Sequence, residues 1–119
     1  MTSRIFSTAS RPRYPLATVA AYGPDNRRAT KLVAAIVGRA GQEPREMRSW
    51  TGGAGDVRND RVIADELTEW LRSRAVKQTV HSDRIIGCPH EEGVDYPEGQ
   101  PCPQCPFWAG RDRWAGPAE

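Results

Sequence analysis

The sequence of 119 residues holds only three cysteines, two histidines and two lysines, Lys31 and Lys77. Each shortage excludes something. Three cysteines cannot all pair within one chain, so a disulfide framework is not what stabilises it. Lysine stands against 15 arginines, a bias that matches a GC-rich coding sequence as well as any function. No apolar run approaches the roughly 18 residues of a membrane-spanning helix, and no apolar core follows the N-terminal charges as a secretory signal requires. A soluble, cytoplasmic protein without membrane contact is therefore expected. A hydrophobic content of 38% allows one modest core, so a single small domain is the expected organisation.

Acidic residues are missing from the first 24 positions, the first being Asp25. Residues 1–50 carry nine basic and three acidic side chains, net +6, while residues 51–119 carry eight and twelve, net −4. The opening arm, residues 1–13, places Arg4, Arg11 and Arg13 among Ser and Thr. Three readings of it stand: a loose basic terminus, an electrostatic contact to nucleic-acid phosphates, and an organellar transit peptide, against which Pro12 and Pro15 count because they limit an amphipathic helix.

From Tyr14 the pattern changes. "YPLATVAAY" and "RRATKLVAAIV" flank the turn-like "GPDN", which predicts a β-hairpin with Ala17, Val19 and Ala21 on one face of the first arm and Thr30, Leu32, Ala34 and Ile36 on one face of the second. The alanine content keeps a helix open for the second arm. Residues 38–59 contain five glycines and a proline and are expected as a loop, with Met47 and Trp50 dipping into the core. "NDRVIADELTEWLRSRAV" then carries Val62, Ile63, Leu67, Trp70 and Leu71 at helical spacing, with Asn59 or Asp60 as N-cap. Its carboxylates, Asp65, Glu66 and Glu69, read as a solvated face. "VKQTVHSDRII" predicts one more strand, on which His81 reads as a surface residue. The fold class expected is α+β: one domain over 14–110 and a tail over 111–119.

All three cysteines and the second histidine lie in "GCPHEEGVDYPEGQPCPQCPFW", residues 87–108. Cys102 and Cys105 have CxxC spacing, which lets two sulfurs reach one ion. Cys88 and His90 form a tighter CxH pair. The intervening eleven residues hold two glycines and two prolines, so the chain can turn back and bring the pairs together. Three thiolates and one imidazole complete a tetrahedral set for Zn(2+), and a closed set is structural rather than catalytic. The segment resembles zinc-ribbon and zinc-knuckle proteins, and more loosely the small zinc finger with ligands in the order Cys, His, Cys, Cys. That resemblance implies a metal-stabilised module contacting a protein or a nucleic acid.

A second reading comes from the same residues. "HEE…PCPQC" fits the HxE…PCxxC signature of zinc nucleobase deaminases, in which Glu92 would move protons on water bound to zinc. Only eight residues separate the halves, too few for the helix and strand of that fold, and Cys88 is placed to take the position of the water. The leading expectation is thus a non-enzymatic zinc-binding interaction module serving nucleic-acid transactions; the alternative is a small zinc hydrolase or deaminase. After Cys105, Phe107 and Trp108 are expected to cover the metal. Trp108, Arg111, Arg113 and Trp114 also interleave aromatics with arginine, a composition suited to a partner or nucleic-acid surface.

Overall fold

The computed structural model describes residues 12–109; Arg4, Arg11, Arg111, Arg113 and Trp114, read above as contact residues, lie outside them. Strands β1 (Leu16–Tyr22), β2 (Lys31–Val37), β3 (Glu46–Thr51) and β4 (Gln78–Ile85) form one sheet in the order β3-β2-β1-β4, and helix α1 (Arg61–Ser73) joins β3 to β4. The β1–β2 and β2–β3 pairs are antiparallel, while β4 runs parallel to β1. This is the α+β architecture expected. No helix among the described residues is long and apolar enough to cross a membrane.

The hairpin forms in the expected phase. Ala17, Val19 and Ala21 of β1 and Leu32, Ala34 and Ile36 of β2 are buried together on one face. Alternation along a pleated strand puts every second residue on that face, and the small alanines let α1 approach the sheet closely. Ile63, Leu67 and Trp70 of α1 fill the space above them, with Leu71 packing at the margin. Burying each of the large side chains contributes about 1.5–3 kcal/mol. Asp60 is the N-cap, its Oδ1 accepting from the Ile63 amide at 3.1 Å. Val62, expected on the apolar stripe, is instead 64% exposed.

Two parts of the chain differ from the sequence reading. The connection between β1 and β2 is longer than the four residues of "GPDN", running from Gly23 to Thr30, and it folds on side-chain acceptors rather than as a tight turn. Asp25 Oδ1 accepts from the amides of Arg27 and Arg28. The second difference lies inside residues 38–59, where the expected loop contains the regular strand β3. Only Trp50 of its six residues is buried, so the alternation that marks a half-buried strand is absent from its sequence. Trp50 does enter the core, edge-on to Trp70 with ring centroids 6.0 Å apart. Met47 does not; it is 64% exposed.

A 3-10 turn at Val57–Asn59 precedes the helix, and its N-cap Asp56 ties three segments together. The carboxylate accepts from the Ala29 amide at 3.1 Å and from the Arg58 amide, Nε and Nη2 at 2.9, 2.9 and 2.6 Å. The Arg58 guanidinium in contact with it is the chief reason that its carboxyl titrates well below the usual carboxylate range, with the backbone donors adding to the effect. A lowered folded-state value means that the contribution is full above the ordinary carboxylate range, near pH 4, and is lost as the pH falls below it. Asp56→Ala should therefore cost about 1–3 kcal/mol at neutral pH. In denaturant titrations, the variant should also lose less stability than the wild type between pH 5 and pH 2, bounds set at roughly a unit above and two below the ordinary carboxylate value; equal acid sensitivity would contradict this role.

Candidate metal centre

The polypeptide leaves β4 still attached to the sheet. The Ile86 amide donates to the Ala21 carbonyl and the Gly23 amide to the Gly87 carbonyl, each at 2.9 Å. Cys88 thus starts from a fixed point at the end of the β1–β4 pair. Gly23 is required there, because a Cβ at this position would collide with the Arg28 carbonyl.

From Cys88 the chain doubles back at once. The His90 amide donates to Cys88 Sγ at 3.2 Å, a contact that stabilises negative charge on sulfur. Residues 91–101 then form a loop closed by their own carboxylates and backbone. Asp95 Oδ2 accepts from the Glu91 amide at 2.7 Å and Glu92 Oε2 from the Gly99 amide at 2.6 Å. Gly93 and Gly99 supply the positive φ values, both 84°, that these reversals need. The CxxC turn follows, with the Cys105 amide bonded to the Cys102 carbonyl, and passes into a 3-10 turn at Pro106–Trp108.

The loop brings the four expected side chains to one place. The ligand atoms of Cys88, His90, Cys102 and Cys105 all lie within 4.8 Å of one another, and the three cysteines are buried. His90 Nδ1 is 3.3 Å from Cys88 Sγ and 3.5 Å from each of Cys102 Sγ and Cys105 Sγ. One ring nitrogen can share one hydrogen with one sulfur, not with three. Three nearly equal separations fit a common centre instead: bonds of about 2.3 Å to sulfur and 2.0–2.1 Å to nitrogen at tetrahedral angles put S and N about 3.6 Å apart. The donor set therefore fits a metal ion bound through His90 Nδ1 and three sulfurs.

Electrostatics argues in the same direction. Burial, followed by the neighbouring thiols, pushes the Cys105 thiol up to about 12, and burial raises Cys88 as well. Burial thus disfavours the thiolate at Cys88 and Cys105, and a bound cation would offset that cost. With a divalent ion, three thiolates and a neutral imidazole leave a net charge of −1, and Lys31 lies close by, its Nζ donating to the carbonyl of Pro89 between two of the ligands at 3.2 Å. Lys31 was not singled out in the sequence; nothing in one strand-initial lysine signals that a distant segment will fold against it.

Trp108 covers the cluster as expected. It packs on the cysteines and on the edge of the main core, and its Nε1 donates to the Gly23 carbonyl at 2.8 Å. Phe107 stacks edge-on against it, and Tyr96 closes another side. Of the arm, Arg13 is exposed, and its amide donates to Gln78 Oε1 at 2.7 Å. His81 is exposed on β4 and outside the cluster. A cleft of about 720 Å³ separates the metal-site loop from the sheet face opposite α1, with Tyr22, Lys31, Val33 and Met47 on one side and Pro89 and His90 on the other.

Compared with known protein families, with curated proteins and with solved structures, the chain matches none. The site and fold together define a small α+β protein whose Cys3His cluster can hold a metal ion. Because metal ligation requires thiolates and an ordinary thiol is neutral near pH 7, loading the metal-free protein at that pH should release about three protons per ion if all three cysteines ligate. An indicator dye in weak buffer reads this directly, and binding should weaken as the pH falls. Loading without proton release would contradict ligation by the three cysteines.

Proposed function

We infer that the protein is a non-enzymatic zinc-binding module in which a closed Cys3His site holds the segment from 87 to 108 on the sheet as a binding surface. The observation that carries this reading is the set of three short separations from His90 Nδ1 to sulfur: with all four positions taken by protein, none remains for water or substrate. Sulfur-rich ligation favours zinc over the hard cations. The likeness to zinc ribbons and knuckles rests on the ligand set alone, since within the segment the only strand-like pairing is the single bridge between Glu92 and Tyr96.

The partner that the charge distribution fits is a nucleic acid, through the basic first half of the chain, with net +6 against −4 for the remainder. Arg4, Arg11 and Arg13 of the arm, with Trp108, Arg111, Arg113 and Trp114, are the side chains proposed for nucleic-acid or partner contact. The hydrolytic alternative draws no support from Glu92, which is exposed and engaged with the Gly99 amide.

Substitution separates the two readings. In a closed structural site Cys88→Ser should lower zinc content and melting temperature about as much as Cys102→Ser or Cys105→Ser, because structural zinc contributes on the order of 10 kcal/mol, comparable with the stability of a small domain. Glu92→Gln should leave zinc content unchanged and melting nearly so. A stable, zinc-loaded Cys88→Ser protein would overturn the closed site and reopen the catalytic one.

A further inference from the structure

Strand β3 is an edge of the sheet, and among the described residues no strand lies beyond it. The Gly52 amide donates to the Thr30 carbonyl at 3.1 Å, and the register continues from there as Leu32 with Trp50, Ala34 with Arg48 and Ile36 with Glu46. Hydrogen-bonded pairs alternate along an antiparallel ladder. Trp50, Arg48 and Glu46 therefore bond inward to β2, and the backbone N–H and C=O groups of Met47, Ser49 and Thr51 point away from it. None of these outward groups has a hydrogen-bond partner among the described residues.

The two edges of the sheet are unlike. On β4 the pairing to β1 is interrupted by a register shift between Val19 and Ala21, and irregularity of this kind discourages a further strand. Strand β3 is regular throughout its six residues. Two of the three large hydrophobic side chains exposed among the described residues are Met47, on β3 itself, and Val62 of α1, both 64% exposed. Met47 lies on the sheet face opposite α1. Val62 flanks the other side: it sits one helical turn before Glu66, on the same stripe of α1, and Glu66 Oε1 accepts from Trp50 Nε1 at 3.0 Å and from Arg48 Nη2 at 3.4 Å. An edge with unpaired backbone groups and an apolar residue on each side is a surface for strand addition.

We propose that this edge pairs with β3 of a second copy of the chain, antiparallel about a two-fold axis, with Ser49 opposite Ser49. The sequence of β3 selects both partner and register. A two-fold pair must match outward groups with outward groups, which restricts it to registers that join odd-numbered residues. Placing Arg48 opposite itself sets like charges face to face, and placing Trp50 on the axis joins only Ser49 with Thr51, two bonded pairs in all. Placing Met47 on the axis sets Ser49 against Arg45, whose amide is already turned inward to the Ile36 carbonyl. With Ser49 on the axis, Met47 meets Thr51 and Ser49 meets Ser49, giving three bonded pairs that each exchange both N–H···O bonds. Arg48 of each copy then faces Trp50 of the other, a contact of the kind it already makes over its own Trp50 at 4.7 Å. No like charges oppose one another.

The arrangement makes one continuous sheet of eight strands with both helices on one face. The metal loops lie on the other face, at opposite ends because the copies are antiparallel. The cleft beside each metal loop has Met47 and Ser49 in its lining, so the second copy closes its open side. This assembly does not rest on the zinc reading, since every residue that defines it lies in β3 and α1.

Sedimentation equilibrium on the full-length, metal-loaded protein tests it over a concentration series. The wild type should reach twice the 13.2 kDa of the chain, and the amides of Met47, Ser49 and Thr51 should exchange slowly with deuterium. Ser49→Pro removes an outward N–H, which an isolated edge strand tolerates and a paired one does not, so this variant should sediment as a monomer with unchanged metal content. If it fails to fold, Met47→Lys and Val62→Lys carry the same test, each replacing an exposed side chain and each expected to shift the protein toward monomer. A wild type that stays monomeric leaves the edge to a foreign strand and overturns the proposal, as does dimerisation undiminished by these substitutions.

Discussion

Three cysteine sulfurs converge on one imidazole nitrogen and are buried from solvent, and the path of the segment after β4 depends on that convergence. Apart from Tyr96 and Trp108, residues 89–109 contribute little to either hydrophobic cluster beyond the cysteines themselves. What fixes the segment is the convergence of Cys88, His90, Cys102 and Cys105, together with the backbone bridge from Gly87 to Gly23 and the Trp108 indole on the Gly23 carbonyl. Gly23, at the end of β1, thus serves both ends of the segment. Its missing side chain is what lets the chain pass there.

The remainder of the molecule is held differently. The core between α1 and the sheet is assembled from alanines on the strands and large side chains on the helix, and Asp56 locks the long β1–β2 connection to the start of the helix. A small domain with so much alanine in its sheet buries a thin core, and a metal held by a cluster such as this one is one way in which small domains make up the difference. The loop also shapes the protein's surface. It stands over the sheet face opposite α1 and makes one wall of the cleft whose other side includes the half-buried Lys31.

The candidate ligands were legible in the sequence because metal chemistry demands rare residue types at short spacing. Cys88, His90, Cys102 and Cys105 are nearly all the cysteine and histidine present, and the glycines and prolines between them mark a reversal. The hairpin and helix were legible for a related reason: their buried positions recur with the period of the element. Strand β3 was not, since a single buried residue, Trp50, has no period, and its glycine-rich surroundings resemble a loop. Val62 fits the helical stripe by spacing alone and falls outside it because the stripe facing the sheet is narrow, centred on Ile63, Leu67 and Trp70. Lys31 and Gly23 bond to this segment across more than fifty positions of sequence, which local pattern does not encode.

The central claim is that protein atoms alone complete the metal's coordination. X-ray absorption at the zinc edge of the purified, metal-loaded protein measures this most directly. The account predicts three sulfur scatterers at about 2.3 Å and one nitrogen at about 2.0 Å, with imidazole scattering in the outer shells. A first shell of two sulfurs with one nitrogen and one oxygen would contradict it, because it would take Cys88 off the metal and put water in its place.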